Sequence, residues 1–397
     1  MARIYLKENT KIMRVHQSVQ NIGLSKIVQI SEQAAKIAPE FEQRTGLPFI
    51  YFQRGEVGFP TPKFIAEGYQ KAFDKGLTKY PKAGGEPLFK ESILTSLGGE
   101  GIHGLDPSNI VVTSGGQEGL QLALNLFRGG RCLVLTPAWP CLFDNIFPYT
   151  ETTPIEVPLK RDTWDLDFTA IEKELPNVDT LYFNNPNNPT GKVFAPHDVS
   201  RLADMCHKYG VVMICDDAYM DLIYNGKHEC PVKEFENVIV VRTFSKSFAA
   251  TGLRVGYAFS RRADLIAHMI KSEYTQTAGI PQTAQYAFAD ALHHPDRRTF
   301  QENLRNTMKQ RGEAAHKILG DPISFDSSFY WFADMLKIAS IPYIAQAWTD
   351  ILLTKGIAVI PGTAFGKNFE YHVRLSFSTL SNELVEAGMK RFLEHVR

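Results

Sequence analysis

The segment TFSKSFAATGLRVGY, residues 243–257, sets one lysine among hydroxyl side chains directly after the apolar run VIVV, with Arg254 eight positions on. A lysine at a strand end is ordinarily a solvated charge. Lys246 is flanked by Ser245 and Ser247, however. Desolvation or a nearby cation depresses a lysine pKa, and the neutral amine then attacks aldehydes. Arg254 is suited to supply that cation, or to hold a phosphate with its bidentate fork. Asp216 ends the apolar run VVMIC. Such a carboxylate either caps its strand or, if buried, needs a cation or donor as partner, and a protonated ring nitrogen is one such partner.

Four further groups sit where chemistry is possible. TSGGQ (113–117) precedes a helical pattern, and free N–H groups at a helix start attract anions, although glycine there is also common packing. NNPNNPTG (184–191) reads equally as a rigid turn and as asparagines aimed at a ligand. Trp139, between prolines in TPAWP, either packs or offers a flat face to an aromatic group. Arg374 lies inside the apolar pattern YHVRLSFS, where a buried guanidinium requires an anion, from the protein or from a substrate.

The elements that must position these groups alternate regularly through the middle of the chain. Short Val/Ile-rich runs at 109–116, 131–137, 180–186, 211–217, 237–243 and 255–260 read as strands. Helical spacing fills 117–127 and 196–210, the latter opened by Pro196 and closed by Gly210. Strands that are apolar on both faces and interleaved with helices predict a mostly parallel, doubly wound α/β domain, whose ligands gather at the carboxyl ends of the strands. Towards the C-terminus, SSFYWFADM (327–335) alternates like a half-exposed strand, 356–362 and 371–378 read as strands, and 381–396 as an amphipathic helix capped by Ser381. The reading is a large domain over 63–290 and a smaller α+β domain made of 1–62 and 291–397, with a helical segment at 17–38.

Composition narrows the function. Forty-three basic residues balance forty-three acidic ones, so no bulk charge asks for nucleic acid or an anionic membrane. The five cysteines, odd in number and without CxxC spacing, fit a reducing compartment such as the cytoplasm. The N-terminal stretch MARIYLKENTKIMRVHQ lacks the apolar core of a secretion signal. No histidine or cysteine spacing supports a metal, and neither a GxSxG elbow nor a GxGxxG fingerprint occurs.

In order along the chain, GEVGFPTP, TSGGQ, TPAWP, NNPNNPTG, DDAY, SKSFAATGLRVGY and HVRLSFS resemble the fold-type I, class I/II aminotransferases, which use pyridoxal 5′-phosphate, and most nearly their aspartate and aromatic branch. The resemblance implies that Lys246 carries the cofactor as a Schiff base, that Asp216 faces the pyridinium nitrogen, and that Tyr219 and Asn188 bond the ring oxygen. It implies Trp139 on the ring face, and Gly115, Gly116, Gln117, Thr243, Ser245 and Arg254 around the phosphate. Tyr80 would reach the phosphate of a neighbouring subunit, making a homodimer. Arg374 would grip the substrate carboxylate beside Gly55. The implied reaction is ping-pong transfer of an α-amino group to a 2-oxo acid. The alternative on the same fold is α,β-elimination, as in cystathionine or cysteine-conjugate β-lyases. The chain departs from the family at Ala138 and Leu142, where aromatic residues are common, at Ser327 and Ser328 in FDSSFY, and at Gln117, where a lysine sometimes stands. These departures leave the substrate side chain open.

Overall fold

The computed structural model describes residues 15–319 and 325–397. The first fourteen residues, which hold most of the stretch read for targeting, lie outside the described residues. A seven-stranded sheet organises the middle of the chain: β1 (Ile110–Thr113), β2 (Arg131–Thr136), β3 (Thr153–Pro158), β4 (Thr180–Asn184), β5 (Val212–Asp216), β6 (Val238–Thr243) and β7 (Gly256–Phe259). Their spatial order is β1-β7-β6-β5-β4-β2-β3. Only β7 runs against its neighbours, so the expected mostly parallel sheet is what forms.

Successive residues of these strands enter opposite cores, which is why the sequence shows no polar face. Met213 and Cys215 of β5 pack on one side with Phe89, Phe183 and Phe288. Ile214 packs on the other with Leu120, Val134 and Tyr182. The period of two along a strand thus serves two buried layers. The sequence reading missed β3 because TPIEVP carries two prolines and its burial is partial, as befits an edge strand.

Helix α1 (Lys26–Thr45), α2 (Gly115–Asn125) and α3 (Pro196–Lys208) match the helical patterns, although α1 is preceded by a separate short turn of helix at Gln17–Gln20. Near the C-terminus, β8 (Tyr330–Asp334) pairs antiparallel with β9 (His372–Ser376), which also pairs with Ile360–Pro361. The strand read over 356–362 is therefore two short ones, since Ile357–Ala358 joins Ile50–Tyr51 in a different sheet. Helix α4 (Asn382–Val396) has the expected cap, Ser381 Oγ accepting from the Leu384 N–H.

One expectation fails. Ser327 through Ala333 is buried throughout rather than half-exposed. Trp331 and Ala333 enter a core with Val373 and Phe392, while Phe332 packs on Phe365 and Tyr330 on Tyr219. Both faces of β8 are covered, and one of them meets the large sheet's strand ends.

Candidate active site

Three parallel strands deliver their C-terminal residues to one cavity. In register, Asn184 of β4 lies opposite Asp216 of β5, and Asp216 opposite Val241 of β6, two residues before Thr243. Thr243 then caps a single helical turn, Phe244–Ser247, its Oγ1 accepting from the Ser245 N–H at 3.2 Å. That turn lifts Lys246 over the strand ends. The cavity, about 230 Å³, is lined by Gly55, Gly116, Gln117, Trp139, Asn188, Asp216, Tyr219, Thr243, Ser245, Lys246, Arg254 and Arg374, residues singled out from the sequence. Gly115, next to Gly116 in the chain, is not among its lining residues.

Lys246 Nζ donates to the Gly55 carbonyl at 2.6 Å and lies 6.0 Å from the Tyr219 ring centre. Burial, then the charge of Arg374, push its pKa down to about 8. Arg254, the cation nominated from sequence proximity, acts in the same sense but less, and Glu56 opposes it.

Asp216 is buried, with Oδ2 accepting from the Tyr182 hydroxyl at 2.8 Å and Oδ1 from the Ala218 N–H at 3.2 Å. Burial raises its pKa to about 6 against these donors. A buried carboxylate with two donors and, among the described residues, no cation bonded to it favours a cationic N–H partner. Tyr219 hydrogen-bonds Tyr330 hydroxyl to hydroxyl at 2.8 Å, and the Asn188 amide reaches its oxygen at 3.5 Å.

The asparagines of NNPNNPTG divide between the turn and the cavity wall. Asn187 serves the turn, accepting from Thr190 Oγ1 at 2.7 Å and from the Gly191 N–H through its carbonyl at 2.9 Å. Asn188 serves the cavity, its Oδ1 accepting from Arg374 Nη1 at 3.3 Å. Arg374 is 1% exposed. Its other bond runs from Nη2 to the Gln53 carbonyl at 2.8 Å, its Nε has no partner among the described residues, and the Tyr330 ring lies 4.5 Å away. Burial lowers its pKa, and no carboxylate among the described residues offsets its charge. A buried guanidinium that has only neutral partners is a receptor for an anion.

At the far end, α2 starts at Gly115, whose φ is +74°. A Cβ there would stand 2.7 Å from Arg254 Nη2, so glycine is what lets the guanidinium approach the helix start. Among the described residues, Arg254 itself is bonded only to carbonyls, Thr251 at 2.9 Å and Ser114 at 3.0 Å. Tyr80 does not line this cavity. It is 89% exposed, in a separate groove with Phe73, Leu77 and Pro281.

Sequence reasoning missed Tyr182, Tyr330 and Ile27, all of which line the cavity or hold a residue that does; Asn184 belongs to the NNPNNPTG stretch it singled out. Tyr182 had a usable signal: it sits two positions before Asn184 on one strand, hence on the same face as Asp216's side. Tyr330 had none, because its partner Tyr219 is 111 residues away.

Comparison with known proteins follows this geometry. Residues 49–392 match the model of the family described as aminotransferase class I and II. The chain is 32% identical to the probable aspartate/prephenate aminotransferase of Aquifex aeolicus over 88% of its length and 92% of that protein's. It is 30% identical to the aspartate/prephenate aminotransferase of Thermus thermophilus, over 93% and 98%. Among solved structures, Thermus thermophilus aspartate aminotransferase with maleate superposes with a TM-score of 0.89 at 26% identity, covering 96% of this chain and 100% of that one. The aromatic aminotransferase of Pyrococcus horikoshii OT3 gives 0.82 at 28% identity, covering 90% and 98%. With a family match across most of its length and relatives similar from end to end, the chain is an aminotransferase and belongs to the class I and II family.

Proposed function

We propose that the cavity holds pyridoxal 5′-phosphate and that the enzyme moves an α-amino group from an amino acid to a 2-oxo acid in two half-reactions at this one site, a ping-pong scheme. The observation that carries this reading is the triad of buried charges: a lysine whose pKa is lowered to about 8, together with a carboxylate that, among the described residues, has no cation bonded to it and a guanidinium that has no carboxylate. The donor set fits the cofactor at both ends. The helix start at Gly115, Gly116 and Gln117, with Thr243, Ser245 and Arg254, suits a phosphate. Asp216 suits a protonated ring nitrogen, Tyr219 and Asn188 a ring oxygen, and Trp139 a ring face.

When bound, the cofactor supplies an aldehyde that takes up amines and a ring that accepts the electron pair released at the substrate Cα. The chain's own residues do the rest. Asp216, ionised, keeps a positive charge opposite it. Arg374 takes the substrate α-carboxylate in its fork and so fixes which Cα bond points at Lys246. Lys246, in part neutral near pH 8, would take the Cα proton as base and then, as acid, give it to the carbon that carried the cofactor's aldehyde. Asn188, bonded to Arg374 and in reach of Tyr219, ties the carboxylate grip to the ring-oxygen contact.

Dividing the chain into 63–290 and 1–62 with 291–397 assigns Ile27, Gly55, Tyr330 and Arg374 to one unit and the remaining cavity residues to the other. We place the enzyme in a reducing compartment, the cytoplasm, a reading supported by its five free thiols. The test is a half-reaction: purified protein loaded with the cofactor is mixed with one amino acid and no acceptor. Stoichiometric 2-oxo acid and aminated cofactor, with no ammonia, are expected. Catalytic release of ammonia would replace transfer by elimination.

A further inference from the structure

Asp216 faces the cavity, but the group that holds it comes from the apolar layer behind. Tyr182, in the middle of β4, lies in register with Ile214 of β5, two residues before Asp216. Side chains two apart on a strand share a face, and a long side chain reaches its diagonal neighbour on the next strand. The Tyr182 ring therefore runs along the sheet towards the strand end, packed with Leu120, Val134 and Ile214 at 1% exposure. Its hydroxyl leaves that layer at Asp216 Oδ2, 2.8 Å away. A phenol so buried needs a partner, and Asp216 is the one that the described residues give it.

The direction of this bond is fixed. Burial, then the charge of Asp216, raise the Tyr182 pKa well above the usual phenol range, so the hydroxyl keeps its proton and donates. On Asp216, burial favours the neutral acid, and Tyr182 does more than any other group to offset it. The second donor, the Ala218 N–H at Oδ1, is only two residues along the chain and follows Asp216 wherever it goes. Tyr182 comes from a different strand, so it ties the carboxylate to the sheet.

The other ionisable groups around Asp216 are engaged elsewhere. Asp217, next in the chain, opposes its ionisation but is paired with Arg242 Nε at 3.2 Å. Lys246, from the turn after β6, favours ionisation but donates to the Gly55 carbonyl. Tyr219 bonds Tyr330, burial keeps the Cys215 thiol neutral, and Glu118 of α2 accepts from the Ser114 N–H.

We propose that Tyr182 is a positioning residue for the transfer reaction, keeping Asp216 ionised and aimed at the cofactor's ring nitrogen. The inference rests on the function proposed above, in which Asp216 faces that nitrogen. Tyr182→Phe removes one oxygen and leaves the ring in its layer, and an unchanged circular dichroism spectrum checks the fold. Calorimetry then titrates the cofactor-free wild type and variant with pyridoxal 5′-phosphate and with its deaza analogue, in which a ring C–H replaces the nitrogen. Both ligands carry the same aldehyde and phosphate, so Lys246 and the phosphate site contribute alike to each. The wild type should bind the cofactor about tenfold or more tighter than the analogue. The variant should lose about tenfold in affinity for the cofactor and no more than about twofold for the analogue.

A second readout is infrared difference spectroscopy of the cofactor-free enzyme across pH. The protonation midpoint of Asp216, about 6 in the wild type, should rise by about one pH unit in Tyr182→Phe, because the lost donor favours the charged form. A 3-fluorotyrosine at position 182 keeps the hydroxyl, makes it a stronger donor and should move the midpoint the other way. Equal losses for both ligands, or a midpoint unmoved by either replacement, would reduce Tyr182 to packing and overturn the inference while leaving the transfer reaction standing. A wild type that binds both ligands equally would remove Asp216 from the ring nitrogen, and the inference would fall with it.

Discussion

Lys246 and Arg374 lie 128 positions apart, yet the second does more than any other charge to the first. A lowered lysine pKa has a measurable signature. Uptake of the cofactor aldehyde requires the neutral amine, whose fraction rises about tenfold per pH unit below the pKa and levels above it. The uptake rate of the cofactor-free enzyme, followed by stopped-flow absorbance, should therefore climb up to about pH 8 and flatten there. An unshifted lysine would keep climbing to about 10.4. Lys246→Ala should abolish turnover. Arg374→Leu replaces a buried cation by a side chain that buries without a partner, so folding should survive while the specificity constant for α-amino acids falls by about a hundredfold or more. Amines lacking a carboxylate should react equally with both forms, and a parallel loss for those amines would remove Arg374 from substrate binding. At this scale the sequence was legible where motif and chemistry coincide, as at Lys246, Asp216 and Asn188. It was silent at Tyr330, whose value lies in a hydroxyl that meets Tyr219 only after β8 has folded across the strand ends.

Elements convert these side chains into a site by where they stop. β4, β5 and β6 all end at the cavity, and their Val/Ile runs, buried on both faces, made their existence and order of appearance readable from the sequence. Edge elements were harder. β3 shows no apolar run, and β8 looked half-exposed because its aromatic run is flanked by serines and an aspartate, which does not reveal that layers cover both faces. The start of α2 offers a sharper test of element geometry. Gly115 combines φ of +74° with a Cβ position 2.7 Å from Arg254, whereas a Cβ on Gly116 would meet nothing nearer than 3.4 Å. Gly115→Ala should weaken cofactor affinity about ten- to a hundredfold and lower Tm by several degrees, because it strains the turn and displaces the guanidinium. Gly116→Ala should bind the cofactor within about threefold of wild type and leave Tm unchanged or higher, since alanine favours the helix. Equal losses in calorimetric titrations of both variants would refute the role given to the Gly115–Arg254 approach.

The whole molecule leaves Tyr80 outside the cavity of its own chain, with Phe73, Leu88 and Tyr274 also exposed at 55%, 52% and 54%. An uncovered aromatic ring in one groove with Phe73 and Leu77 suits a contact with another chain. The resemblance assigns Tyr80 to the phosphate of a neighbouring subunit, and on that proposal each site in a homodimer is built from two chains. The claim can be tested by complementation. Tyr80→Ala homodimers would lack the phosphate contact at both sites, and Lys246→Ala homodimers would lack the amine at both. A hybrid of the two would contain one site with neither group and one with both, because the Lys246→Ala chain lends its intact Tyr80 to the site that keeps its lysine. Co-refolding the two variants in equal amounts makes about half of the dimers hybrids, each with one complete site of two, so activity should rise to about a quarter of the wild-type value. If Tyr80 acted only within its own chain, the mixture would yield no more than the average of the two parents, and sedimentation of the wild-type enzyme as a monomer would exclude the shared site altogether.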